Sequence, residues 1–217
     1  HGPQSTLYGG EAVGGVVAIR GQRGTGPGSA TVAAEAGSFG TVQGAISAQG
    51  GDAQRAYTFS ASGGHTDNER PNNEFDSVTY SLRLDRQVTK DVAIGATWRG
   101  FVGRYGSPGA AIGFGANDPD NEESESNQLA TVFADLTHSP GLTSHVVLGG
   151  QDRRYVSDSG TSETLVTNRR AVLDWQSTYV LNEKHRVTGG LTAEANTLLE
   201  AALKSYLRVV YADLAEG

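Results

Sequence analysis

In Val78-Thr79-Tyr80-Ser81-Leu82-Arg83-Leu84-Asp85 the even positions are apolar and the odd ones polar, the alternation of a strand with one greasy and one wet face. The segment that follows repeats the rule, with Val92, Ile94, Ala96, Trp98 and Val102 on one face and Thr97 and Arg99 on the other. The same period of two runs through residues 30–36, 41–49, 56–62, 130–136, 142–148, 171–181, 187–194 and 207–211. The chain therefore reads as about ten strands.

The connections predict how those strands are joined. Thr89-Lys90-Asp91, Ser139-Pro140-Gly141 and Asn182-Glu183-Lys184 are tight turns between strands, and each predicts an antiparallel hairpin. Between the hairpins lie longer polar loops, expected at 66–76, 107–126, 156–168 and 197–204. Short turns at one end and long loops at the other are the organisation of an outer-membrane barrel. A soluble β-sandwich does not require that asymmetry.

Composition agrees. The 217 residues include 30 Gly and six Pro with 37% hydrophobic residues, which suits a turn-rich β protein. No apolar run approaches the roughly 20 residues of a membrane helix, whereas barrel strands leave only an alternating signal. A net charge of -7 without a basic cluster argues against nucleic acid as a partner. With no Cys there is neither a disulfide framework nor a thiolate metal site. The lack of Met and of a signal peptide predicts that the chain starts inside a longer reading frame, or was processed or cloned that way.

The two faces separate sandwich from membrane barrel. Thr58, Ser60, Ser62, Thr79, Ser81, Arg83, Asp85, Arg99, Asp174, Gln176, Thr188 and Glu194 would make a poor dry core, because burying unpaired charges costs several kcal/mol each. They suit a water-filled interior. Tyr57, Phe59, Tyr80, Leu82, Leu84, Trp98, Leu173, Trp175, Tyr179, Leu191, Leu207 and Tyr211 on the other face suit lipid, with Trp98, Trp175 and Tyr179 as interfacial candidates.

The N-terminal segment, His1 followed by Gly2-Pro3-Gln4-Ser5-Thr6-Leu7-Tyr8-Gly9-Gly10-Glu11-Ala12-Val13-Gly14-Gly15-Val16-Val17-Ala18-Ile19, is ordered enough to carry a family signal. It resembles the closing segment of the plug domain in TonB-dependent outer-membrane receptors, a run close to RGPxSxLYGxxAxGGVVNI. Gly2, Pro3, Leu7, Tyr8, Gly9, Gly14 and Gly15 carry the match. His1 stands where the family usually has Arg, and Ala18 where it usually has Asn. Within that family the spacing from Ser38-Phe39-Gly40 through Tyr211-Ala212-Asp213 is most similar to the cobalamin receptor type. The resemblance implies a location in the bacterial outer membrane and a division into residues 1–20 as the end of a plug, 21–28 as a glycine-rich linker and 29–217 as barrel strands. Family barrels have about 22 strands, so the chain is expected to be a fragment that does not transport by itself. Its parent is expected to take up a scarce small-molecule nutrient, cobalamin or an iron chelate, with TonB a partner of the parent only.

The fold expected is thus all-β, an antiparallel up-and-down β-barrel of transmembrane type, either closed as a small barrel or forming half of a larger one. Open strand edges in lipid leave backbone groups unsatisfied, which predicts self-association or pairing through them. Outer-membrane lipid is the other expected partner.

Candidate chemistry is sparse. The segment from Asn117 to Glu125 offers five carboxylates and two amides, hard oxygen donors of the kind calcium prefers, but without the EF-hand spacing or its central glycine. It reads either as a solvated acidic loop or as a calcium site. Cobalamin-type receptors hold calcium on acidic extracellular loops, so the resemblance implies Asp118, Asp120 and Glu122 as ligands, with Asp152 and Asp158 to complete the shell. No other cofactor is expected. If the turn at Pro140 is symmetric, Asp135 faces His145 on the polar face, and an Asp–His pair can orient a general base. Thr137 and Thr143 share that face, but no Ser does and no G-x-S-x-G elbow occurs. The pair therefore reads as structural, with a small β-barrel hydrolase or a passive pore or binding barrel as the rival functions. His65, in a loop with Asp67 and Glu69, and His185, beside Lys184 at the start of a strand, read as exposed and not as metal ligands. Gly21 to Gly28 is glycine-rich, yet Pro27 and the lack of a following helix exclude a nucleotide-binding turn, and the stretch reads as a flexible linker.

Overall fold

The structure, a computed structural model, describes residues 21–110, 113, 118–160, 162–197 and 204–213. The plug-like residues Gly2, Pro3, Leu7, Tyr8, Gly9, Gly14 and Gly15 lie outside them. Ten strands follow one another: β1 (Gly26–Ala36), β2 (Val42–Gly51), β3 (Arg55–Thr66), β4 (Phe75–Thr89), β5 (Val92–Gly106), β6 (Glu122–Ser139), β7 (Leu142–Asp158), β8 (Glu163–Val180), β9 (His185–Asn196) and β10 (Lys204–Asp213). They form one antiparallel up-and-down sheet in sequence order, and no helix occurs among the described residues.

Register turns the period of two into two faces. Tyr57, Leu84, Ala96, Val132, Leu148, Leu173 and Ala193 are successive partners from β3 to β9. One residue along, the row reads Thr58, Arg83, Thr97, Thr131, Gly149, Val172 and Glu194. A slip of one position would exchange the two faces, so the alternation itself specifies the pairing. Among the described residues no second layer covers either face, apart from the short stretch 21–24 that crosses the polar one. Of the described Ala, Val, Ile, Leu, Phe, Tyr and Trp side chains only Ala56 is buried, at 4% exposure, while Leu148 is 55% and Val132 52% exposed.

The hairpins expected near Lys90, Pro140 and Glu183 are present, closing β4–β5, β6–β7 and β8–β9 at the same end as the short β2–β3 turn. Two expected loops are shorter than the sequence suggested, the first keeping 107–121. Residues 122–126 belong to β6, and of 156–168 only 159–162 connect strands, the rest lengthening β7 and β8. Polar sequence was read there as irregular, but polar side chains support a ladder wherever they meet cross-strand partners. Here Glu122 to Glu125 pair in register with Asp158 to Tyr155. His65 likewise sits on β3, opposite Asp76, and not in a loop.

The closed small barrel is corrected as well. Among the described residues β1 pairs only with β2 and β10 only with β9, so the sheet is open. Ten strands of barrel wall, with two free edges, are what the larger-barrel alternative requires.

Candidate functional site

The polar face is a lattice of cross-strand pairs. On β4 the Arg83 guanidinium grips Asp85 through Nε at 2.8 Å and Nη2 at 2.7 Å, and lies 5.2 Å from the Phe133 ring centroid on β6. Thr97 and Thr131 share a hydroxyl hydrogen bond of 2.6 Å, Gln151 donates to Asn127 at 3.0 Å and Arg170 to Glu194 at 2.8 Å. Among the described residues no buried side-chain polar atom lacks a partner. Such a face presents water with oriented donors and acceptors along seven adjoining strands, β3 to β9.

The chain arrives at β1 across this same face. Arg83 Nη1 donates to the Gly21 carbonyl at 2.8 Å, and Thr58 to the Gln22 carbonyl at 3.4 Å. Gly24 is buried against the backbone of Gly50 and Tyr57, where a Cβ would collide with both carbonyls. The segment expected to be a flexible linker is therefore held on the polar side for at least its first four residues.

Toward the long-loop end, Glu123 on β6 accepts the Tyr105 hydroxyl at 2.6 Å and the Tyr155 hydroxyl. These bonds hold the Glu123 carboxyl below the usual carboxylate range and push both phenols above their ordinary value. Arg153 donates to Glu125 at 2.7 Å beside them. Glu123, Tyr105 and Tyr155 had no sequence signal as a trio, because the three lie on three strands and meet only through register.

The apolar face forms a band at the short-turn end. On β5 it runs from Ile94 to Val102, nine residues, the lower end of the about 9–11 that a tilted transmembrane strand needs. On β7 it runs through Val146, Leu148 and Gly150, then gives way on the same face to Asp152 and Arg154. Trp98 and Tyr80 pack edge to face at 4.8 Å between centroids, and both donate to the Gln128 amide oxygen at the band's border. Tyr80 reaches Gln128 by crossing Gly100, its register partner on β5, where any Cβ would strike the ring. Trp175 and Tyr179 are half exposed on the same face of β8.

The sequence candidates are placed as follows. Asp135 and His145 are register partners with Oδ1 and Nδ1 2.7 Å apart, so the hairpin symmetry is as expected. No hydroxyl bonds to His145 among the described residues, which leaves the pair without a nucleophile. A serine does meet a histidine elsewhere: His138 Nε2 lies 2.9 Å from Ser144 Oγ, itself 2.6 Å from Ser177 Oγ. Ser144, the hydroxyl that meets the imidazole, is only 6% exposed, while His138 is exposed and Ser177 partly so. Asp118 turns Oδ1 to the amides of Asp120 and Asn121, Glu122 pairs with Arg104, Asp152 accepts from Arg169 at 2.7 Å, and Asp158 accepts the Gly160 amide at 2.8 Å. Among the described residues no three acidic or histidine side chains converge on a metal-sized gap. His65 is not solitary: its Nδ1 meets Asp76 at 2.8 Å and its Nε2 meets Asp67 at 3.1 Å.

No family model matches the chain, and no curated protein does. Among solved structures the chain is similar to a chain of the RagAB peptide importer in its closed-closed state, with 14% identity and a TM-score of 0.49 over 79% of this chain and 28% of that one. The chain thus spans little more than a quarter of the length of that neighbour.

Proposed function

We propose that the chain is a stretch of the wall of an outer-membrane β-barrel of the TonB-dependent receptor type. Its polar face lines the water-filled interior, and the parent protein takes up a scarce small nutrient such as cobalamin or an iron chelate. One observation carries the reading: an extended sheet, with no second layer among the described residues, has a hydrogen-bonded polar face and a continuous exposed apolar band. In water that band is a liability, and in lipid it is the surface a barrel needs. The entry of residues 21–24 on the polar side, together with the plug-like motif before it, favours a receptor over a passive pore.

The test is lipid contact. The chain is expected to need detergent, to show heat-modifiable gel mobility, and to have Trp98 and Trp175 fluorescence quenched by bilayers with brominated acyl chains. A stable monomer in plain buffer with unquenched tryptophans would overturn the membrane reading.

Calcium is expected to leave the thermal midpoint unchanged, because Asp118 and Glu122 are already engaged. A stabilisation approaching the about 2.7 kcal/mol that a hundredfold excess over Kd confers, lost in Asp118→Asn/Asp120→Asn, would establish the site. The hydrolase reading predicts ester turnover that His145→Ala abolishes. Without a nucleophile bonded to the imidazole, turnover is expected to stay at background in both proteins.

A further inference from the structure

Arg55, at the start of β3, and Arg86, near the end of β4, are register partners. Both lie on the apolar face: Arg55 shares the alternation of Tyr57 and Phe59, and Arg86 that of Leu84 and Leu82. Both are exposed, and among the described residues neither guanidinium has a carboxylate partner. Asp52, which feels the charge of Arg55, turns its Oδ1 to the amides of Gln54 and Arg55 at 2.7 Å, and Asp85 is taken by Arg83. Like charges placed directly opposite across two strands are destabilising. An anion between them removes that penalty, and two guanidinium forks match the geometry of a phosphate.

What adjoins the pair narrows the anion's identity. Arg86 stands at the end of an open groove of about 480 Å³ along the apolar face, walled by Leu84, Ile94, Val132 and Leu148 and floored by Ala96 and Ala134. A second stretch of about 480 Å³ continues it past Ala130 to Trp98. The two share Leu84, Ala96, Val132 and Leu148, so they form one channel of apolar surface that begins at a cation. Free phosphate would use the cations and ignore the channel, whereas a hydrocarbon alone would ignore the cations.

We propose that Arg55, Arg86 and this groove form a binding site for one anionic phospholipid, the phosphate between the two guanidiniums and an acyl chain along Ala134 and Ala96. The short-turn end of an outer-membrane barrel faces the periplasm, so the lipid comes from the periplasmic leaflet. The site rests on the membrane reading above.

The full chain, folded in neutral maltoside micelles, is titrated with dioleoyl phosphatidylglycerol, with dioleoyl phosphatidylcholine and with inorganic phosphate, and retained lipid is counted by native mass spectrometry. One phosphatidylglycerol is expected to be held at least tenfold more tightly than phosphatidylcholine, and inorganic phosphate at equal concentration should not displace it. Arg55→Gln/Arg86→Gln should lose that tenfold preference. The double variant removes a repulsion, so its circular dichroism should match the parent's. Ala134→Leu, which fills the groove and leaves both arginines, should also weaken retention. Equal retention by parent and Arg55→Gln/Arg86→Gln overturns the proposal, as does displacement by phosphate, which would mark a bare anion site. Brominated-lipid quenching of Trp98 separates the two levels: quenching without lipid selectivity sinks this site alone, and no quenching sinks the membrane reading itself.

Discussion

Glu123 shows how a single carboxylate on the polar face acts. It accepts two phenol hydrogens, from Tyr105 first and then Tyr155, and those bonds lower its own pKa while raising theirs. Stability from Glu123 is present above its unfolded pKa of about 4.3 and is lost as pH falls through the lower folded value. For the tyrosines it is present below about 10 and lost as pH rises through their higher folded values. Glu123→Gln should return both phenols toward ordinary ionisation, seen as an earlier rise of tyrosinate absorbance in alkali. An unchanged titration would mean the trio does not form in solution. His65 gives the opposite window from the carboxylate. Bonds to Asp76 and Asp67 raise its pKa, so its contribution is complete below about 6.5 and lost as pH rises through the folded value. Thermal midpoints measured from pH 6 to 9 should fall more in the parent than in His65→Ala, and parallel curves would refute the clasp.

At the scale of elements, β4, β5 and β6 are tied by side chains that cross the middle strand. Tyr80 passes over Gly100 to Gln128, and Phe133 passes over Gly95 toward Arg83. Both crossings need the absence of a Cβ on β5. Gly100→Ala should displace the Tyr80 ring, break its packing on Trp98 and cost about 1–3 kcal/mol, the usual penalty of overpacking. A lower thermal midpoint with altered Trp98 emission is the expected signature, and unaltered emission would show that the ring moves aside freely. The Asp135–His145 pair was legible in sequence because a tight turn relates residues about its centre. The bridges over Gly95 and Gly100 were not, since they join strands whose register depends on a fifteen-position gap between β5 and β6.

For the whole molecule, the decisive experiment reverses one residue on each face. Arg at a lipid-facing position near the bilayer midplane costs about 2–4 kcal/mol, whereas interior positions are tolerant. Leu148→Arg on the apolar face should therefore lower folding yield in vesicles by that order, and Thr79→Arg on the polar face should be close to neutral. Equal effects would mean that the two faces do not meet different solvents. The edges of β1 and β10, unpaired among the described residues, make a further demand, because unpaired ladder groups are costly in lipid. Cross-linking in detergent should capture self-associated chains, and a strictly monomeric chain would require its edges to be covered some other way.

The sequence by itself determined that this protein is all-β, which residues share a face, and where the tight hairpins fall. Side-chain period and turn chemistry are local, and Val78 to Asp85 or Ser139 to Gly141 state them within a few residues. Local pattern was misleading where polar residues were taken for loops, because 122–126 become strand through partners some thirty positions on, at 154–158, and 163–168 through the same 153–158 stretch, which was itself read as loop from 156. Only the tertiary structure decided that the sheet stays open, that His65 sits between two aspartates, that Glu123 gathers two tyrosines and that Arg55 faces Arg86. Each of these depends on the register between strands, which is set by the sum of many weak cross-strand contacts and is written in no single stretch of residues.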